Sequence, residues 1–289
     1  NALTLIDTGL SETDANFIMS NIGIHKSLTS IITHPDQDHI GGLKYILKGN
    51  NQILDIILPN YGVIDDKIGQ LKRKLLKDTV FDRVVVGNNI ISFRNQTIDN
   101  SARAQITKLS NGEILVSRID FGGQSNVFIY QVNNPTNVND TSLVLKIINN
   151  GVSTLLMGDA GISVMEKLSF AYMRDYQNIY ERVIKEHESS YIFELFKIYE
   201  QYDLYEIEDK YEQYADYLKE TDMIIKKSVN IRSNILQWPH HYWVPKTKKE
   251  KILMEKFLLN VDPEYIILNP PPKNAGQNRK ALLEYLETI

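Results

Sequence analysis

The sequence predicts a two-layered α/β core interrupted by an α-helical insertion, and three observations carry that prediction. Short apolar runs closed by turn residues recur from Leu3 to Met157. Helical periodicity then runs almost unbroken from about Val164 to Lys227. Strand and helix signals return after Asn234. The chain accordingly divides into residues 1–160, the first part of the core, 161–230, the insertion, and 231–289, the last part of the core.

Each element has a local reason. Leu3 to Asp7 is an apolar run stopped by Thr8-Gly9, which reads as a buried strand. Ser11 is placed to cap a helix reaching Ile22, with Ile18 and Ile22 on one face. Leu28 to Thr33 is a second short strand that runs into the loop His34-Pro35-Asp36-Gln37-Asp38-His39. Gly41-Gly42 leads into a short helix from Leu43 to Leu47. Further strands are expected at 53–58, 83–86, 90–93, 115–119, 127–132, 142–148 and 154–157. A basic helical stretch with Lys67, Lys72, Arg73, Lys74 and Lys77 lies among them. In the insertion Val164, Leu168, Tyr172, Tyr176, Ile179 and Val183 recur at helical spacing. Ten of the 16 tyrosines fall between Tyr172 and Tyr217, among many acidic residues. A strand at 234–238, a helix at 249–258, a strand at 265–268 and a helix at 279–286 close the chain.

Composition narrows the function classes. The 289 residues are 43% hydrophobic and 24% charged, with a net charge of −4. That is a globular composition, neither disordered nor fibrous. The absence of cysteine removes disulfides, thiol catalysis and every Cys-ligated zinc site. No apolar run approaches the ~18 residues of a membrane span. A cytoplasmic protein with no membrane partner is therefore expected. The acidic balance argues against a blanket nucleic-acid coat, while leaving room for a local basic groove. Strand character begins almost at Asn1, so a segment upstream is expected.

The chemistry concentrates in three loops. Four of the six histidines lie in two of them, His34 with His39 and His240 with His241, each after an apolar strand. The first loop offers His34, Asp36, Asp38 and His39, four ligands in six residues. On a turn, alternate positions can face one ion, while the adjacent Asp38-His39 pair splays toward a second. Asp159 follows Gly158 at the end of another strand and is placed like a bridging carboxylate. Carboxylates mixed with imidazoles suit Mn²⁺ or Zn²⁺, the carboxylate share favouring Mn²⁺, with Mg²⁺ an alternative. Two such divalent ions roughly 3.5–4 Å apart can activate a water and clamp a phosphate or acyl oxygen. Taken singly, each piece has a plainer reading: turn chemistry for the His-Asp loop and for Asp7, a helix cap for Asp159, surface for His240-His241.

Together these motifs resemble the metallo-β-lactamase superfamily. They are Leu5-Ile6-Asp7-Thr8-Gly9, Thr33-His34-Pro35-Asp36-Gln37-Asp38-His39-Ile40-Gly41-Gly42, Asn139 to Leu145, Leu155 to Asp159, and Trp238-Pro239-His240-His241. Val261 to Ile267 is similar to the family's last strand. More narrowly, the set resembles the soluble metallo-β-lactamase-like domain of the DNA-uptake channel protein ComEC and its standalone relatives, which carry Asp where Asp36 stands. The resemblance covers both ends of the chain but not the insertion. It implies an αββα sandwich with a helical insertion and two metal ions between the inner sheet edges. His34 and Asp36 would serve the first metal and Asp38 and His39 the second. Asp159 would bridge, and either His240 or His241 would complete the second site. It further implies that Asp7 orients a ligand, and that Asn139 stands nearest the place of the family's missing third histidine. Tyr242-Trp243 replace the family's usual Gly and Ser, which implies a reshaped mouth where these aromatics meet substrate.

The leading functional expectation is a metal-dependent phosphodiesterase, a DNA nuclease using a metal-activated hydroxide, with Asp38 and Asp159 essential to catalysis. The Lys67–Lys77 stretch and the run Lys246 to Lys251 could track a phosphate backbone, or be solvated helix faces. Trp238, Tyr242 and Trp243 could stack on bases, or form core or lid. One alternative keeps the hydrolase and changes the substrate to a cyclic nucleotide, lactone or other small ester. Another is a partner-regulated module docking through its helical insertion. By analogy with standalone relatives in defence against foreign DNA, an ATPase is the kind of partner implied.

Overall fold

The computed structural model describes residues 3–22, 28–34, 36–46, 53–59, 83–86, 89–92, 105–111, 114–120, 125–133, 135, 137–179, 229–239, 243–268 and 276–288. The described residues form a mixed α/β structure with two sheets. The chain divides into two compact units, Asn1–Ala104 with Asn134–Leu143, and Gln105–Asn133 with Val144–Ile289. Among the described residues no helix is long and apolar enough to cross a membrane.

The first unit is built on a five-stranded sheet of β1 (Leu3–Ile6), β2 (Leu28–Ile31), β3 (Ile53–Leu58), β4 (Arg83–Val86) and β5 (Asn89–Ser92), in that order. The first four strands run parallel, and β5 returns antiparallel to β4. Parallel strands are covered on both faces, which is why they read as largely apolar runs rather than strictly alternating ones. Ile31 and Ile32, and Ile56, Ile57 and Leu58, are all buried accordingly. Helices α1 (Glu12–Ile22), α2 (Gln37–Ile40) and α3 (Leu43–Ile46) complete the unit. Ala15, Leu43 and Ile46 join Ile32, Ile56 and Leu58 in one core. Leu43 and Ile46 are fully buried, which stabilises the unit by roughly 1.5–3 kcal/mol each.

Ser11 begins α1 as the sequence predicts. Its hydroxyl accepts from the Asp14 amide, and the Asp14 carboxylate accepts from the backbone amides of Leu10 and Ser11. These contacts satisfy amides that a helix start leaves without intrahelical partners.

The second unit carries a seven-stranded sheet of β6 (Gln105–Asn111), β7 (Ile114–Asp120), β8 (Ser125–Val132), β9 (Val144–Asn149), β10 (Val152–Leu156), β11 (Ile235–Gln237) and β12 (Tyr265–Ile267). Its order is β12-β11-β10-β9-β8-β7-β6. It is an antiparallel meander through β10, after which β11 and β12 add in parallel. The β9–β10 hairpin turns on Asn150-Gly151, both at positive φ (50° and 76°), the backbone that a tight two-residue hairpin loop demands.

One face of this sheet packs on α4 (Ile162–Ile179), α5 (Lys248–Val261) and α6 (Gly276–Leu286). Val164, Met165, Leu168, Ala171 and Tyr172 form the buried stripe of α4, at the helical spacing visible in the sequence. Helix α5 starts with a capping box between Thr247 and Glu250 and ends on Asp262 in the left-handed region. The chain at Val229-Asn230 is fastened twice: the Val229 amide donates to Asp175 at 2.9 Å, and the Tyr130 hydroxyl to the Asn230 carbonyl at 2.7 Å.

Strand β6 and helix α2 were not expected. Strand β6 reads Gln-Ile-Thr-Lys-Leu-Ser-Asn, with only two apolar residues, and it forms because β7 offers a full ladder. Helix α2 lies inside the stretch expected to be loop. The basic stretch Lys67–Lys77, residues 180–228 of the predicted insertion, and His240, His241 and Tyr242 lie outside the described residues.

Candidate metal centre

The candidate centre begins where two parallel strands end together. Ile6 of β1 is in register with Ile31 of β2, so the residues after them leave the sheet side by side. The Asp7 amide donates to the Ile31 carbonyl at 2.8 Å, while Asp7 itself turns into the left-handed region at φ 57°. Small polar residues such as Asp tolerate that conformation better than most. On the other strand the chain continues through Ile32 and Thr33 to His34. The Ile32 amide is tied to the Ile57 carbonyl, and the Thr33 carbonyl to the Leu143 amide.

Helix α2 then brings His39 back over Asp7. The His39 carbonyl accepts from both the amide (2.7 Å) and the hydroxyl (2.9 Å) of Thr8, which locks the end of this single helical turn. Gly41 and Gly42 allow the close approach: a Cβ on Gly42 would overlap the Thr8 carbonyl oxygen.

The side chains converge on Asp7 and Thr33. Asp7 Oδ2 stands 2.7 Å from His39 Nδ1. The same carboxylate accepts from the Thr33 amide at 2.8 Å and from the Thr33 hydroxyl at 2.8 and 3.0 Å. Thr33 Oγ1 is also 3.2 Å from His34 Nδ1 and 3.3 Å from His39 Nδ1. The two imidazoles are tilted by 55° with their centroids 3.9 Å apart. His34 is fully buried and His39 half-buried.

Asp159 follows β10 through Met157 and Gly158, the latter at φ 54°. The Met157 amide donates to the Gln237 side chain at 3.1 Å, and the Ala160 amide to the Met157 carbonyl at 3.1 Å. Asp159 is buried, at 5% exposure. The carbonyl that opens α4 is that of Gly161, two residues beyond Asp159; it accepts from Val164 and Met165.

His34, His39 and Asp159 each offer one ligand atom, and these atoms lie within 4.8 Å of one another. Among the described residues this is the group that could hold a metal ion. Two imidazoles and a carboxylate are a donor set suited to divalent Zn²⁺ or Mn²⁺, so the residues present fit such an ion. Asp36 and Asp38 stand outside the trio, each beside one histidine: Asp36 Oδ2 is 3.7 Å from His34 Nε2, and Asp38 Oδ2 is 3.7 Å from His39 Nε2. Asp36 occupies the position before α2 without a side-chain capping bond, so helix capping does not account for its carboxylate.

The remaining candidates have distinct places. Asn139 is half-buried at the start of a 3₁₀ turn, Asn139–Thr141, which ends two residues before Leu143, whose amide binds Thr33. Its neighbour Asp140, which the sequence did not single out, is buried and bonded to Asn137. Trp238 is core: it is 1% exposed and donates to the Trp243 carbonyl at 2.9 Å, which leaves no face for a base. Trp243 is half-buried and packs against the same core. Thr33 is the residue whose role sequence reasoning missed; its only signal was the position between an apolar strand and His34.

No protein-family model matches the chain, and no curated protein is significantly similar to it.

Proposed function

We propose that the chain is a metal-dependent phosphodiester hydrolase of the cytoplasm, acting on DNA. The observation that supports this reading is the paired His34 and His39 rings, with His39 held from behind by Asp7, in a group that with Asp159 could hold a metal ion. A divalent ion bound there supplies Lewis acidity, which makes water a competent nucleophile at neutral pH and offsets charge developing on phosphate oxygens. His34, His39 and Asp159 hold the ion. Asp36, Asp38 and one of His240 and His241 are the remaining ligands of a two-ion site. Asp7 and Thr33 aim the imidazoles.

The preference for DNA rests on the motif resemblance and on exposed lysines. Lys246, Lys248, Lys249 and Lys251 are all exposed around the start of α5, as residues that track a phosphate backbone must be. A sandwich arrangement of the two sheets, and a protein partner such as an ATPase, belong to the same reading.

The test is cleavage of circular single-stranded DNA and plasmid with Mn²⁺, Mg²⁺ or Zn²⁺. Asp38→Ala and Asp159→Ala proteins are run beside wild type. Cleavage by wild type alone, lost by about a hundredfold or more in both variants, is the expected result. Wild-type turnover in either variant sinks the mechanism. Metal binding without cleavage of any DNA moves the substrate to a small ester or cyclic nucleotide.

A further inference from the structure

We propose that Thr33 is a positioning residue that sets the tautomer of both histidines through its single hydroxyl proton. The inference deepens the metal-centre reading and rests on it for its consequence, though the tautomers themselves can be read without any metal.

The argument is proton bookkeeping. Asp7 is an acceptor only, and Thr33 Oγ1 lies 2.8 Å from one of its oxygens and 3.0 Å from the other. The hydroxyl has one proton and two lone pairs. Pointing the proton anywhere else would set oxygen lone pairs against a carboxylate at hydrogen-bond distance. The proton therefore goes to Asp7, and Oγ1 faces the imidazoles with lone pairs. His34 Nδ1, at 3.2 Å, makes a hydrogen bond with that oxygen only when Nδ1 carries hydrogen. His39 Nδ1 lies 2.7 Å from Asp7 Oδ2 and 3.3 Å from Oγ1, and must likewise be the donor.

Both rings thus carry hydrogen on Nδ1 and a lone pair on Nε2, the form in which an imidazole binds a metal through Nε2. Burial enforces the choice. Thr33 is 2% exposed and His34 0%, so solvent does not compete for these contacts. Asp7 alone would orient His39. The hydroxyl of Thr33 extends the same control to His34.

Two measurements on the whole 289-residue chain test this. The first is two-bond proton–nitrogen correlation spectroscopy of metal-free protein at mildly alkaline pH. Nδ1–H tautomers at both His34 and His39 in wild type are the expected result. An Nε2–H form at His34 in wild type overturns the proposal before any variant is made. The second compares Thr33→Val, which keeps the shape and removes the hydroxyl, with Thr33→Ser, which restores it. Thr33→Val is expected to release His34 from the Nδ1–H form and to weaken Mn²⁺ binding about tenfold or more, read by titration of free Mn²⁺. His39, still held by Asp7, keeps its tautomer. Thr33→Ser is expected to hold both tautomers and to bind Mn²⁺ within roughly twofold of wild type. Unchanged tautomers and Mn²⁺ affinity in Thr33→Val overturn the proposal. Nδ1–H at both rings in a wild type that binds no divalent metal keeps the tautomer assignment and sinks the metal-centre reading instead.

Discussion

The Asp7 carboxylate and the His39 imidazole are 32 residues apart in the chain and 2.7 Å apart in space. Their meeting follows from two neighbouring parallel strands that end in register and from a single helical turn that folds back over them. Asp7 spends its acceptors on three donors: the Thr33 amide, the Thr33 hydroxyl and His39 Nδ1.

Replacing Asp7 therefore affects both stability and the ligands. In Asp7→Asn one acceptor oxygen becomes a donor facing donors, so stability falls by about 1–3 kcal/mol. Mn²⁺ affinity falls about 10–100-fold with it. Asp7→Ala loses roughly a further 1 kcal/mol, because alanine is disfavoured at φ 57°. Urea unfolding and Mn²⁺ titration of the two variants check both effects, and equal stability of Asn and Ala at this position contradicts the strain argument.

Gly42 is tested by adding one methyl group. A Cβ there meets the Thr8 carbonyl, which is backbone and cannot rotate away. Gly42→Ala is expected to cost about 1–3 kcal/mol of stability by overpacking. The loss should appear as a lower denaturation midpoint at unchanged m-value. A variant as stable as wild type shows that the helical turn and the Thr8 loop can separate at no cost.

Alkaline stability should depend on Tyr130. Burial pushes its hydroxyl well above the ordinary tyrosine range, and the nearby Asp175 charge reinforces this. The phenol stays neutral in the folded chain while the unfolded chain ionises near pH 10. Its contribution is therefore fully present below about pH 10 and is lost as pH rises further. Above that point wild type should lose up to ~1.4 kcal/mol per pH unit more than Tyr130→Phe. Urea midpoints of the two proteins across the alkaline range give the difference directly. Parallel curves mean that Tyr130 ionises in the folded state.

Metal binding should stabilise the folded chain by mass action. At a free concentration about a hundredfold above Kd, Mn²⁺ or Zn²⁺ adds about 2.7 kcal/mol, and a chelator removes it. Asp159→Ala should unfold at the same temperature with and without the ion. A metal-induced rise in Tm that survives this substitution places the ion elsewhere.

Local signals made much of the fold legible in advance. The buried parallel strands appear as largely apolar runs, the first helix start as Ser11, and the α4 core stripe as helical spacing. The ligand-rich loop was visible for the same reason: His34, Asp36, Asp38 and His39 are close in sequence, so their grouping needs no knowledge of the fold. Strand β6 escaped because its order comes from the ladder with β7 and not from its own apolar residues. Trp238 was ambiguous because an aromatic beside histidines looks alike whether it stacks on a ligand or on the core.

Tertiary structure alone decided which distant residues meet. That Asp7 grips His39 and that Thr33 touches both imidazoles depends on strand order and register. Those are properties of the whole chain's hydrogen bonding and packing. Periodicity tells which side of a strand or helix is buried; it carries no information about which other strand will lie beside it.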